Sequence, residues 1–287
     1  MSVAPRLLLV EGTPRERRRA AAARGLRGHA EVYAEALRAH YPTLQLTLFE
    51  AAEPGARLPA GERLENFAGL VIGGSNLHAC DPDPEVTGQV ELLRAFGATG
   101  RPMLASCWGL QVAVVAAGGA VAASANGREV GIARKLTLTD AGRQHPMYAG
   151  KPAVFDAPCM HYDEVTRLPE DATLLCHNPH SPVQAAVVPL GRSEVWGVQY
   201  HPEFDLRHVA GLIDMEAEAM LAQGFFQDAK DLGAYTRRLA ALDAPDAPRA
   251  MAWPLGIDRD LLDVTRRRAE IVNWVRTWLP TAAQTAS

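Results

Sequence analysis

The stretch Arg101–Gly119, RPMLASCWGLQVAVVAAGG, decides how the chain is read. Pro102 to Ser106 is a short apolar run of the kind that forms a buried strand. Trp108 to Val115 has the composition of a helix, which Gly118-Gly119 would stop. Cys107 falls between the two, on a sharp strand-to-helix turn of the sort that presents the nucleophile in G-x-S-x-G enzymes. Gly109 lets the strand and helix backbones approach closely. A helix start favours a negative charge and so lowers a thiol pKa. The residue after the nucleophile offers its backbone N–H to a developing oxyanion. The alternative for this segment alone is a buried structural cysteine, the usual state of a free one.

Working outward, the same alternation recurs. Leu7–Val10 reads as a buried strand followed by the loop Glu11-Gly12-Thr13, and Ala30–His40 as a helix with Val32, Tyr33, Ala36 and Leu37 on one face. Pro42 would end that helix. Leu44–Phe49 alternates as a half-exposed strand, and Phe67–Ile72 is a further buried strand ending in Gly73-Gly74-Ser75-Asn76. Asp81–Pro84 leads into a helix over Glu85–Gly97. This order predicts an α/β fold with an open, mostly parallel central sheet and helices on both faces. Between 133 and 199 the character changes. Ala133–Thr139, Ala153–Ala157, Glu164–Arg167, Thr173–His177, Val183–Pro189 and Ser193–Gln199 are short strand-like runs separated by Pro and Gly, which predicts an antiparallel or mixed region at one sheet edge. Leu206–Gln223 returns to helical spacing. The domain organisation expected is a main domain over 1–225 and a C-terminal helical extension over 226–287, with a Pro-containing linker near 243–254. In the extension, Ile257–Leu279 reads as one amphipathic helix, and Arg266–Arg268 as its solvated face.

Bulk properties narrow the function classes. The 287 residues are 48% hydrophobic and 22% charged, with a formal net charge of −4, so neither nucleic acid nor an anionic membrane is expected as a partner. No apolar run is long enough to span a bilayer. The basic, Ala-rich run 15–27 has a transit-peptide flavour, but a core strand precedes it. Four irregularly spaced cysteines suit free thiols in a reducing cytoplasm. Cys159-x-His161, Cys176-His177-x-x-His180 and His78-x-Cys80 lack the paired C-x-x-C spacing of structural zinc sites. No metal and no cofactor are expected.

A nucleophilic thiol needs a base, and the base needs an orienter. Of nine histidines, His201 stands where the strand Val195–Tyr200 ends, in QYHPEF, with Glu203 two residues on. In a parallel sheet, strand carboxyl ends share one edge, so His201 would lie near Cys107.

LASCWGLQ together with QYHPEF resembles the class I (triad) glutamine amidotransferases, over roughly Val3 to Met220, and most closely the GMP synthetase branch. That family has a flavodoxin-like fold. The resemblance implies that Cys107 is the nucleophile, His201 the base and acid, and Glu203 its orienter. It implies that the backbone N–H groups of Gly74 and Trp108 form the oxyanion hole. It places Gly73, Gln111, Met160, His161, Tyr162 and Asp163 at the substrate, with Met160 and Tyr162 acting through backbone and Asp163 through its carboxylate. Three departures stand out: Ala105 where the family usually has Gly, Ser75 where it usually has Pro, and Tyr162 where Gly is common. The activity implied is hydrolysis of the glutamine side-chain amide through a Cys thioester, supplying ammonia to a separate synthase subunit. No P-loop or other nucleotide loop is present for the chain to be its own synthase. Two alternatives stay open: a free-standing hydrolase of other γ-glutamyl amides, and a non-catalytic partner that keeps the fold. Homodimerisation is left open as well.

Overall fold

The computed structural model describes residues 4–244 and 246–279. A nine-stranded sheet runs through it in the order β2-β1-β3-β4-β11-β10-β9-β6-β7. Its strands are β1 (Arg6–Glu11), β2 (Gln45–Glu50), β3 (Gly69–Ile72), β4 (Met103–Ser106), β6 (Glu129–Leu138), β7 (Val154–His161), β9 (Thr173–His177), β10 (Ala185–Leu190) and β11 (Ser193–Val198). β5 (Ala120–Ala123) and β8 (Asp163–Arg167) form a separate antiparallel pair. From β2 to β11 all neighbours are parallel. From β11 to β7 all are antiparallel. The expected mixed edge is therefore present, and the parallel half has the 2-1-3-4-5 order of flavodoxin-like sheets.

The helices are α1 (Arg15–Ala22), α2 (His29–His40), α3 (Pro84–Gly97), α4 (Trp108–Ala116), α5 (Asp140–Gln144), α6 (Leu206–Met215), α7 (Ala217–Ala222), α8 (Ala229–Ala241), α9 (Arg259–Leu262), α10 (Val264–Arg267) and α11 (Ala269–Trp278). Strand alternation divides the core into layers. Leu7, Leu9, Val71 and Leu104 pack with Tyr33 and Leu37 of α2 and with Ile271, Trp274 and Val275 of α11. Leu8, Val10, Leu70, Ile72 and Ala105 pack with α3 and α4 on the opposite face. A third cluster joins α6 and α8 to Leu261 of α9.

Three features depart from the sequence-based reading. The basic run after β1 contains a helix, α1, in which no residue is buried. Leu206–Gln223 is two helices, α6 and α7, separated at Glu216. Ile257–Leu279 is three helices: Asp258 caps the first on the Asp260 amide, Asp263 starts the second on the Thr265 and Arg266 amides, and the third follows Arg268. With the helix broken there, the arginine run is no uniform solvated face. Arg267 is 4% exposed, donates to the Leu261 carbonyl and faces Asp243.

α11 is built into the sheet. Trp274 donates to the Met103 carbonyl at 3.2 Å, and a Cβ on Gly69 would lie 2.8 Å from the Trp274 ring. Glu270, fully buried, pairs with Lys151 and accepts from the Tyr200 hydroxyl at 2.6 Å. Since Tyr200 precedes His201, this helix braces the strand end that carries the histidine. Removing the cation leaves an uncompensated buried carboxylate. Lys151→Met is therefore expected to lower unfolding free energy by about 3–5 kcal/mol, read from denaturant titration, with the double variant Lys151→Met/Glu270→Leu recovering much of the loss.

Candidate active site

The carboxyl ends of β3, β4 and β11 meet at one rim of the sheet. Cys107, between β4 and α4, has φ 50° and ψ −104°, a conformation a non-glycine residue adopts only when its surroundings enforce it. They do. The Cys107 amide donates to Val198 of β11 at 2.7 Å, and the Gly109 amide to Gly73 at 3.1 Å. A Cβ on Gly109 would lie 2.6 Å from the Ile72 carbonyl oxygen, so the helix can reach the strand end only with glycine there. Gly109→Ala is expected to cost about 1–3 kcal/mol by overpacking and to lower the melting temperature, measured by thermal denaturation.

His201 and Glu203 follow β11. His201 Nδ1 lies 2.7 Å from Glu203 Oε1, and the Ser106 hydroxyl donates to the same oxygen at 2.8 Å. Both residues are at most 1% exposed. On its other face the imidazole stacks on Phe204, with centroids 3.9 Å apart and planes within 3°. Burial alone would lower the pKa of His201. The Glu203 carboxylate, first, and the nearby Cys107 sulfur outweigh that and raise it to about 10. The ring therefore carries its second proton at neutral pH.

Two backbone amides beside the cysteine and the histidine are unpaired. The amides of Gly74 and Trp108 have no protein acceptor among the described residues, while the Trp108 side chain is held away in the core by Gln89 at 2.8 Å. A Cβ on Gly74 would lie 2.9 Å from His201 Cε1, so this backbone abuts the imidazole.

These groups floor a cavity of about 610 Å³. Of the residues anticipated from sequence, Gly74, Cys107, Gln111, Met160, His161, Tyr162, Asp163 and His201 line it. Gly73, Trp108 and Glu203 stand behind it. Gln111 Nε2 donates to the Asp163 carbonyl at 2.9 Å and to Gln199 at 3.2 Å, so it fastens the strand end that carries Asp163. His161 has both ring nitrogens engaged, with Glu129 at 2.9 Å and the Asp163 carbonyl at 3.1 Å. Burial would raise the Glu129 carboxyl, but His161, Asn178 and Gln184 hold it below its ordinary value. Asp163 is buried and its carboxylate meets His78 Nδ1 at 2.7 Å. Tyr162 is exposed at the mouth, under the Arg128 guanidinium. The Ser75 hydroxyl donates to the Gly12 carbonyl at 2.9 Å.

Several lining residues were not anticipated. His29 and His208 come from the starts of α2 and α6, and their rings approach Phe204 with centroids 5.8 and 4.5 Å away. Burial, then His201 and His208, keep His29 well below its ordinary pKa. Burial, then Arg27, lowers His208 to about 4, against the opposing pull of Asp205. Glu11 ties α2 to the sheet by accepting from the Ala30 amide at 3.1 Å. No linear motif marks these positions. His208 lies seven residues beyond His201, in the first turn of a new helix.

A doubly wound sheet with a buried His–Glu pair facing a cysteine elbow defines an α/β protein built around a thiol and an imidazole. The chain belongs to the class-I glutamine amidotransferase family, which it matches over residues 31–213. It is 34% identical over 239 residues to a γ-glutamyl-L-1-hydroxyisopropylamide hydrolase from a Pseudomonas species, covering 80% of this chain and 79% of that one. It is 38% identical over 148 residues to the glutamine-hydrolysing GMP synthase of Lactococcus lactis, but spans only 25% of that enzyme's length. Among solved structures, a glutamine amidotransferase from Methylobacillus flagellatus superposes with a TM-score of 0.65 at 18% identity over 98% of both chains. Another from Thermotoga maritima gives 0.64 at 18% identity over 95% of this chain and 99% of its own. Among the described residues, no helix is long and apolar enough to cross a membrane.

Proposed function

We propose that the protein is a free-standing hydrolase of γ-glutamyl amides that works through a thioester on Cys107. The observation that carries the reading is the Cys107–His201–Glu203 array opening into a cavity of about 610 Å³. A second support is the similarity to a γ-glutamyl-L-1-hydroxyisopropylamide hydrolase over 80% of this chain and 79% of that one.

Asp163, with the backbone of Met160 and Tyr162, holds the amino-acid end of the substrate. The sulfur attacks the γ-carbonyl carbon as thiolate. The tetrahedral oxyanion sits between the Gly74 and Trp108 amides, each worth about 3 kcal/mol. His201 gives its proton to the departing nitrogen, the C–N bond breaks and the amine leaves. A water then attacks the thioester, His201 takes its proton, the C–S bond breaks and glutamate is released. Glu203 holds the ring through both proton transfers and stabilises it whenever it is charged, and Ser106 fixes Glu203.

The test is to compare amine release from γ-glutamyl-amines with ammonia release from glutamine at equal concentration. Higher kcat/KM on the amines is expected. A strong preference for glutamine, increased by a copurifying synthase, would favour the ammonia-donor reading instead.

A further inference from the structure

The two amides assigned to the oxyanion belong to different elements. Gly74 lies in the loop after β3 and Trp108 opens α4, and the pairing of β3 with β4 ends at Ile72 and Ala105. Each peptide is fixed at its carbonyl end. Gly73 accepts from the Gly109 amide and Cys107 from the Gln111 amide, both at 3.1 Å. In a trans peptide the N–H points opposite to the carbonyl, so both donors turn away from α4. Only the bond from Gly109 to Gly73 joins the loop to the helix start, and a loop held by one bond can pivot about it.

Side chains supply a second tie, through the carbonyl of Gly12, the residue after β1. The Ser75 hydroxyl donates to it at 2.9 Å. Gln89 of α3 donates to it from Nε2 at 3.1 Å, and Gln89 Oε1 accepts from the Trp108 indole at 2.8 Å. Hydrogen bonds thus run from Ser75 to Gly12 to Gln89 to Trp108, from one oxyanion element to the other.

The anchor is a built one. Gln89 is fully buried and its second amide hydrogen goes to the Glu85 carbonyl at 2.9 Å. An indole N–H can only donate and a carbonyl can only accept, which fixes the orientation of the Gln89 amide. A Cβ on Gly12 would lie 2.8 Å from Gln89 Oε1 and 2.8 Å from Trp108 Nε1, so only glycine brings its carbonyl this close. Proline, which the family usually has at Ser75, carries no donor, so this tether is the chain's own.

Resting on the thioester reading above, we propose that Gln89 and Ser75 are positioning residues for the oxyanion hole. Through the Gly12 carbonyl they hold the Gly74 and Trp108 amides at the separation the tetrahedral intermediate requires. The oxyanion forms twice, in acylation and in hydrolysis of the thioester, so a misplaced donor slows whichever step limits kcat. The bound amide does not yet carry that charge, so its binding is spared.

The test compares Ser75→Ala, Gln89→Leu, Trp108→Phe and the double variant Gln89→Leu/Trp108→Phe with the wild type, all as full-length protein. One readout is kcat and kcat/KM on the preferred substrate, glutamine or a γ-glutamyl-amine. The other is the rate at which iodoacetamide alkylates Cys107, followed by the mass of the peptide that carries it. Alkylation forms a sulfur–carbon bond and expels iodide from a saturated carbon. No oxyanion develops, so this rate reports the thiolate and its access but not the hole. In Ser75→Ala, kcat and kcat/KM should fall together by roughly tenfold, and in Gln89→Leu by roughly 10²-fold, with Cys107 alkylated at the wild-type rate. Adding Trp108→Phe to Gln89→Leu should bring no further loss, because the bond it removes is already gone. Wild-type kcat in either Ser75→Ala or Gln89→Leu overturns the inference. So does a further loss in the double variant, or alkylation that slows in step with kcat, which would place the effect on the thiol. Ser75→Ala removes one hydroxyl at a half-buried position, so it decides the matter even where Gln89→Leu fails to fold. Hydrolysis that survives complete alkylation of Cys107 overturns the thioester reading instead.

Discussion

Cys107→Ala is expected to abolish γ-glutamyl hydrolysis, with kcat falling by about 10⁵–10⁶-fold, the scale on which a nucleophile's removal is felt when nucleophile and base act as a unit. The same substitution should leave the fold in place. The cysteine is buried at the rim and its neighbours, not its sulfur, hold the turn: the Val198 carbonyl takes its amide and the Gly73 carbonyl takes that of Gly109. The positive φ at this position belongs to the backbone, so alanine inherits the strain while glycine relieves it. Cys107→Gly should accordingly be more stable than Cys107→Ala by about 1–3 kcal/mol, and equally inactive. Thermal denaturation of the two variants beside the rate measurement separates stored strain from chemistry. A Cys107→Ala protein that is folded and still turns over γ-glutamyl amides at the wild-type rate would remove the thioester from the mechanism. If glycine brought no gain in stability, the turn would not be strained by the side chain it presents.

Much of this centre was legible in the chain because its parts are contiguous. A buried strand, a cysteine and a helix within Arg101–Gly119 can form only a tight turn, and a histidine closing a strand with a carboxylate two residues on can only fold back. The parallel half of the sheet followed from alternating apolar runs, and each strand's two faces duly entered different core layers. What was not legible depends on contacts between distant elements. The C-terminal segment has helical periodicity throughout, but Asp263 takes the amides of Thr265 and Arg266 and starts a new helix within it, which a periodicity reading does not register. Arg267 looks solvated within a run of three arginines, and is buried because α9 and Asp243 come to it. His29 and His208 reach the cavity only because α2 and α6 begin at the same rim. Gln111 and His161 were marked as substrate residues, and they do line the cavity. Their nitrogens, though, are engaged with Asp163, Gln199 and Glu129, so they shape the wall through the backbone and side chains they hold.

Glu203→Gln is expected to lower kcat by about 10³–10⁴-fold, the size of loss seen when a triad carboxylate becomes an amide. An amide nitrogen facing His201 Nδ1 would favour the wrong tautomer, and the charge that stabilises the imidazolium would be gone. The pH behaviour should change in the same direction. In the wild type, His201 is raised from 6.5 to about 10, so the proton needed by the leaving amine is lost only as pH approaches that value, and kcat should decline there. In Glu203→Gln the decline should move to lower pH, because burial, which lowers the value, is no longer outweighed by the carboxylate. Stability carries the same signature with a definite sign. A group whose pKa is raised on folding binds more protons in the folded state across the interval between the two values, so stability falls as pH rises through it. The contribution of His201 is fully present below about 6.5 and is lost by about 10. Denaturant unfolding of the wild type across this range should show that fall, and Glu203→Gln should flatten it while being less stable at the acidic end. Equal slopes in the two proteins would mean that the carboxylate does not hold the imidazolium, and Glu203 would then serve only to fill space behind the ring.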